Sequence, residues 1–238
     1  MRSALKMLTT QSVGKSGDSL KKIQAISHYQ PFAAEVFDLP GHQLGAPLAG
    51  FQTLDQTARY IGEYLSEMRK ETPDLPLIIF ARSGSGPILS RTNQLFPGLI
   101  AGLIFMSPPF PGDPVILEAA IRATYEATKV DGNPVIPELS AWSRNNKLSI
   151  SWKDYCFEGA PTLILTGAID LEMTAPEREW YRRLAEKCAG NVEYHDIAGA
   201  VHDVLRLSTG KIGNTLPQVV ESLGYIYEFA DRVISKHK

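Results

Sequence analysis

The chain has 238 residues, 44% of them hydrophobic and 21% charged, with a formal net charge of −2. That composition suits one large domain, or one domain carrying an insertion, with a sizeable core. With no basic excess to displace phosphate counterions it argues against nucleic-acid binding, and no apolar run is long enough to span a bilayer.

The first strand is expected over Ala4–Leu8. The start "MRSALKMLTTQSVGKSG" lacks the apolar core of a secretion signal. Its Gly14-Lys15-Ser16 ends like a phosphate-binding loop, but that pattern needs a glycine five positions earlier, where Thr9 stands. A helix over Ser19–Ser27 buries Leu20, Ile23 and Ile26, and a strand follows at Ala34–Phe37. Asp38 and His42 are read as shaping the "DLPGH" turn. Leu54–Met68 is a helix with Leu54, Ala58, Ile61, Leu65 and Met68 on one face, after a Thr53…Gln56 capping box. Strands follow at Leu77–Phe80 and Ile100–Met106.

From Phe110 to Gly159 the rhythm breaks into a helical fragment (Val115–Thr128) and turns rich in Pro and Asn. So long a stretch between two core strands reads as an inserted lid carrying Tyr125, Trp142, Trp152, Tyr155 and Phe157. The domain reading is therefore core over 1–109, lid over 110–159 and core over 160–238. Strands at Thr162–Thr166 and Val192–Ile197 and helices at Glu177–Cys188 and Pro217–Ile234 complete the chain. Thr215…Gln218 caps the last helix, with Pro217 in its first turn. Near-continuous apolar strands alternating with helices predict an α/β fold, a mostly parallel sheet covered on both faces. Cys156 and Cys188 lack metal-ligand spacing and are expected as reduced thiols in a cytoplasmic protein.

The chemistry concentrates in "LPLIIFARSGSGPILSRTNQLF" (75–96), where two serines and two glycines separate a strand from a helix. A tight strand-to-helix turn displays a serine hydroxyl when residues two before and two after are small. For Ser83 these are Ala81 and Ser85; for Ser85 they are Ser83 and Pro87, and proline fits poorly. A plain Gly/Ser connection is the alternative. A serine needs a base oriented by a carboxylate. "PTLILTGAIDLE" ends a strand at Asp170, and "NVEYHDIAGAVHDVLRL" carries His202 after the next strand. Parallel strands would bring Ser83, Asp170 and His202 to one edge of the sheet. Asp203 is the rival acid, while Asp196 and His195 sit mid-strand. Arg82 is either a buried structural cation or a partner for a substrate carboxylate.

With these motifs the chain resembles the α/β-hydrolase fold superfamily. "ARSGSG" stands at its nucleophile elbow, "LILTGAID" at its acid strand, "IAGAVHD" at its histidine loop, and "VFDLPGHQLGAP" is similar to the loop after its fourth strand. The order Ser…Asp…His matches. Two departures stand out: Thr9-Thr10 replaces the frequent His-Gly after the third strand, and the usual preceding hairpin is not seen. The resemblance implies a serine hydrolase cleaving a carboxylic ester, thioester or lactone of a small, mainly apolar substrate through an acyl-enzyme. Ser83 is then nucleophile, His202 base and Asp170 its orienting acid, and the amides of Gly84 and Gln11 form the oxyanion hole. Trp142 and Trp152 line the substrate site, and no metal or organic cofactor is needed. Acyl transfer, carbon–carbon cleavage, lyase chemistry and non-catalytic ligand binding stay open on the same scaffold, as does a homodimer.

Overall fold

The computed structural model describes residues 5–10, 32–37, 54–83, 85–108, 160–170, 173, 175–205, 207 and 213–237. Six strands run through them: β1 (Leu5–Thr10), β2 (Phe32–Phe37), β3 (Leu77–Arg82), β4 (Gly102–Met106), β5 (Thr162–Gly167) and β6 (Val192–Ile197). They form one sheet in the order β2-β1-β3-β4-β5-β6, every neighbouring pair parallel. Four helices are described: α1 (Leu54–Glu71), α2 (Ser85–Leu95), α3 (Ala175–Lys187) and α4 (Leu216–Lys236).

Strands β3, β4 and β5 are buried at every residue, which explains their unbroken apolar runs. The two-residue period of a strand divides them between two cores. Leu77, Ile79, Ala81, Leu103, Phe105 and Ile164 pack with α1, α2 and α3 through Ile61, Leu65, Ile88, Leu89, Tyr181 and Leu184. Ile78, Phe80, Ile104, Met106, Leu163 and Leu165 pack with α4 through Ile226, Phe229, Ala230 and Val233. Helices thus cover both faces. At the start of α4, the Gln218 side chain accepts the Thr215 N–H at 2.8 Å, and Pro217 lies in the first turn, where its missing N–H costs nothing.

The ends of the elements differ modestly from the sequence reading. Strand β1 continues to Thr10, past the expected end at Leu8, because it is flanked on both sides: Thr10 lies opposite Phe37 of β2 and Ala81 of β3. Thr9 and Thr10 are therefore strand residues, paired on both sides. Strand β4 starts two residues later than expected, at Gly102, and α3 starts two earlier, at Ala175. Cys188 corrects the expectation of reduced thiols, since it is disulfide-bonded. Pairing depends on how close two Cα atoms come in space, which spacing along the sequence does not fix. The other cysteine, Cys156, lies outside the described residues. So do the expected helices at Ser19–Ser27 and Val115–Thr128, the Thr53 cap, and the whole of the expected lid with Trp142 and Trp152. No described helix is long and apolar enough to cross a membrane.

Candidate active site

Strand β3 ends at Arg82 and α2 begins at Ser85, so the chain turns from strand to helix within two residues. Ser83 takes φ of +48°, a left-handed conformation that costs a residue bearing a Cβ on the order of 1–3 kcal/mol. Three sets of hydrogen bonds hold it there. The Ser83 N–H donates to the Met106 carbonyl at 2.8 Å, extending the β3–β4 ladder, and the Gly86 N–H donates to the Ser83 carbonyl at 2.9 Å. The fully buried Ser85 hydroxyl accepts the Arg82 N–H at 2.9 Å and donates to the Arg82 carbonyl at 2.8 Å. The two serines therefore divide the work: Ser85 buckles the turn and Ser83, only partly buried, is displayed by it. Gly86 is closely packed, because a Cβ there would lie 3.0 Å from Cβ of Pro108 and would need the proline to give by a few tenths of an ångström.

The sheet order sets a second problem. His202 follows β6, three strands from β3, and at about 4.8 Å per strand the gap is roughly 14 Å. The six steps from Ile197 to Asp203 can span roughly 20 Å when extended, so the loop can cross, provided the strand ends let it pass. Its anchors record the crossing. Beyond β5, the Ala200 carbonyl accepts the Ile169 N–H at 3.0 Å. Beyond β4, the Ser107 hydroxyl donates to the His202 carbonyl at 2.7 Å. At the end of β3, Arg82 Nη1 lies 3.1 Å from Asp203 Oδ2. Each successive anchor belongs to the next strand towards Ser83. Gly167 makes the passage possible: a Cβ there would meet the carbonyl oxygens of Val201 and Ala200 at 2.3 and 2.4 Å. Asn214, itself buried, clips the loop from behind by accepting the Val201 N–H at 2.8 Å and donating to the Asp203 carbonyl at 2.6 Å.

Asp170 sits in the turn that closes β5, where its N–H donates to the Gly167 carbonyl at 3.1 Å. Its side chain is wholly buried, and Oδ2 lies 2.7 Å from His202 Nδ1. A carboxylate only accepts, so this contact makes Nδ1 the donor and leaves Nε2 as the ring nitrogen suited to act as a base. Asp203, the rival acid, pairs with Arg82 instead, and a turn rather than a helix begins at that point. That pairing also sets aside Arg82 as the partner of a substrate carboxylate: the residue is 4% exposed and engaged. Arg178 steadies the segment after Asp170, donating to the Met173 carbonyl at 2.8 Å. Behind it, Thr166 Oγ1 donates to Asp196 at 3.0 Å and lies 2.8 Å from the Tyr194 hydroxyl. Burial pushes that phenol up to about 12.

Strand order reverses between β1 and β3, the position at which open α/β sheets leave a crevice for ligand. The chain leaves β1 beside Ala81, two residues before Ser83. Gln11 and Gly84, the expected oxyanion donors, fall outside the described residues. Among the described residues no cluster of three His, Cys, Asp or Glu side chains is placed to hold a metal ion.

No family model matches the chain, and no curated protein matches it in sequence. Solved structures do match in shape. E-2-(acetamidomethylene)succinate hydrolase superposes with a TM-score of 0.70 at 14% identity, covering 97% of this chain and 92% of its own. YbtT, a type II thioesterase from the yersiniabactin pathway, gives 0.69 at 16% identity over 97% and 94%. MGS-MChE2, an α/β hydrolase from a metagenome of lagoon sediments at Mar Chica, Morocco, gives 0.65 at 15% identity over 97% and 93%. The chain has the α/β-hydrolase fold. Within that fold the sheet order, the strained turn after β3 and the loop that crosses from β6 account for where Ser83, Asp170 and His202 stand. Sequence reasoning missed Ser107, Asn214 and the role of Gly167. Only Gly167 left a signal, as a glycine closing a buried strand just before the acid.

Proposed function

We propose that the chain is a serine hydrolase that cleaves a carboxylic ester or thioester of a small, mainly apolar substrate through an acyl-enzyme intermediate. Ser83 attacks the carbonyl. His202 takes the serine proton at Nε2 and returns it to the leaving group, then activates the water that releases the acyl group. Asp170 fixes the imidazole tautomer and stabilises its cation. The amides of Gly84 and Gln11 bind the oxyanion, a contribution of about 3 kcal/mol per donor in enzymes of this kind. Trp142 and Trp152 are assigned to substrate binding, as contacts for the apolar acyl or alcohol portion.

The observation that carries this reading is the crossing loop. It brings a carboxylate-bound histidine from the far strand to the segment next to a serine held at positive φ. Nothing about stability asks for that combination, since the strain at Ser83 and the buried carboxylate each cost free energy. The thioesterase among the structural neighbours favours acyl thioesters as the first class to try. The cytoplasmic setting loses its cysteine argument, because disulfides persist mainly in oxidising compartments.

The test is hydrolysis of a chain-length series of p-nitrophenyl esters and acyl thioesters by the parent and by Ser83→Ala. Loss of about 10⁴-fold or more in kcat/KM is expected. Turnover by Ser83→Ala at the parental rate would end the proposal.

A further inference from the structure

The ion pair between Arg82 and Asp203 does not belong to the reacting set. Each partner nonetheless adjoins a member of it: Arg82 precedes Ser83, and Asp203 follows His202. Both are almost wholly buried, at 4% and 5% exposure, with Nη1 and Oδ2 3.1 Å apart. The backbone at each end is fixed separately. Ser85 holds both polar groups of the Arg82 main chain, and Asn214 holds the Asp203 carbonyl. The second carboxylate oxygen of Asp203 accepts the Leu205 N–H at 3.3 Å, which leaves Oδ2 to face the guanidinium. The bridge therefore joins two clamped backbones, and the parts those backbones carry are the serine and the imidazole.

A buried ion pair is a poor source of stability. Its desolvation commonly cancels its attraction, and a well-packed apolar pair of similar volume often serves as well or better. What the bridge offers over an apolar contact is direction, because a planar guanidinium and a carboxylate meet in few geometries. On the reading of the site as a Ser–His–Asp centre, we propose that Arg82 and Asp203 are positioning residues whose bridge sets the register between Ser83 and His202. Ser107 acts with them by holding the His202 carbonyl from the end of β4.

This separates geometry from stability, and a double variant reads the two apart. Arg82→Met with Asp203→Leu replaces the buried ions by an apolar pair. The melting temperature should stay near or above that of the parent, while kcat falls roughly 10- to 100-fold with KM changed by less than about threefold. The rate of covalent labelling of Ser83 by a fluorophosphonate should fall in step with kcat. Recovery of kcat and labelling together with melting temperature would show the pair to be structural only and overturn the proposal. If the double variant does not fold, Arg82→Lys keeps the charge and loses the planar fork. A fall of kcat beyond about tenfold is expected there, and parental kcat would equally overturn the proposal. A parent protein left unlabelled at Ser83 refutes the hydrolase reading itself, a result distinct from either of these.

Discussion

Gly167→Ala tests the crossing loop at its narrowest point. The added Cβ would stand 2.3 Å from the Val201 oxygen and 2.4 Å from the Ala200 oxygen, both of them backbone atoms that cannot rotate away. Restoring an ordinary contact of about 3.3 Å requires a shift of about 1 Å in the residues immediately before His202. The Ala200 carbonyl also accepts the Ile169 N–H, so the shift strains the turn that carries Asp170. Overpacking of this kind costs about 1–3 kcal/mol, and displacement of a base by about 1 Å costs on the order of 10²-fold in rate. Thermal melting and kcat on the best thioester, measured well below the transition, report the two effects separately. Melting should drop by several degrees, and kcat should fall by about 100-fold even where the variant is fully folded. A variant with parental kcat and parental melting would mean that the loop does not pass over the end of β5, and the geometry of the site would have to be redrawn.

Asp170→Asn should keep the fold and lower kcat by about 10⁴-fold, because an amide can present its donor to Nδ1 and so favour the wrong tautomer; activity within about tenfold of parental would remove Asp170 from the mechanism. Tyr194→Phe should cost about 1 kcal/mol at pH 8 through the lost contact with Thr166. Burial raises the Tyr194 phenol from 10.0 to about 12, so its contribution to stability is complete below pH 10 and is lost as pH rises through 12. Urea unfolding across that range should show a shallower alkaline decline in the phenylalanine variant, and parallel declines would contradict the burial. Gly224→Ala, in the middle of α4 with nothing within 4 Å of the new Cβ, should raise stability by about 0.5–1 kcal/mol in the same assay, and a loss would mean that this face of α4 is covered.

The sheet was legible in the sequence because strands buried on both faces leave unbroken apolar runs, as in Leu77–Phe80 and Thr162–Thr166. Strand ends were less so: Thr9 and Thr10 look like loop residues until β2 and β3 are seen on either side of them. The choice of Ser83 over Ser85 followed from local chemistry alone, and the structure gives the second serine its own task. What could not be read was the set of anchors that carries the loop across three strands. Arg82, Ser107, Asp203 and Asn214 lie far apart in the chain, and no local pattern announces a guanidinium that will meet a carboxylate 121 positions later. The disulfide at Cys188 is illegible in the sequence for the same reason, since pairing depends on proximity in space.

Labelling the purified protein with a fluorophosphonate, followed by peptide mass spectrometry, addresses the central claim most directly. One adduct is predicted, on the peptide that contains Ser83, absent in Ser83→Ala and formed far more slowly in His202→Ala. An adduct on another residue, or labelling of Ser83→Ala at the parental rate, would contradict the account.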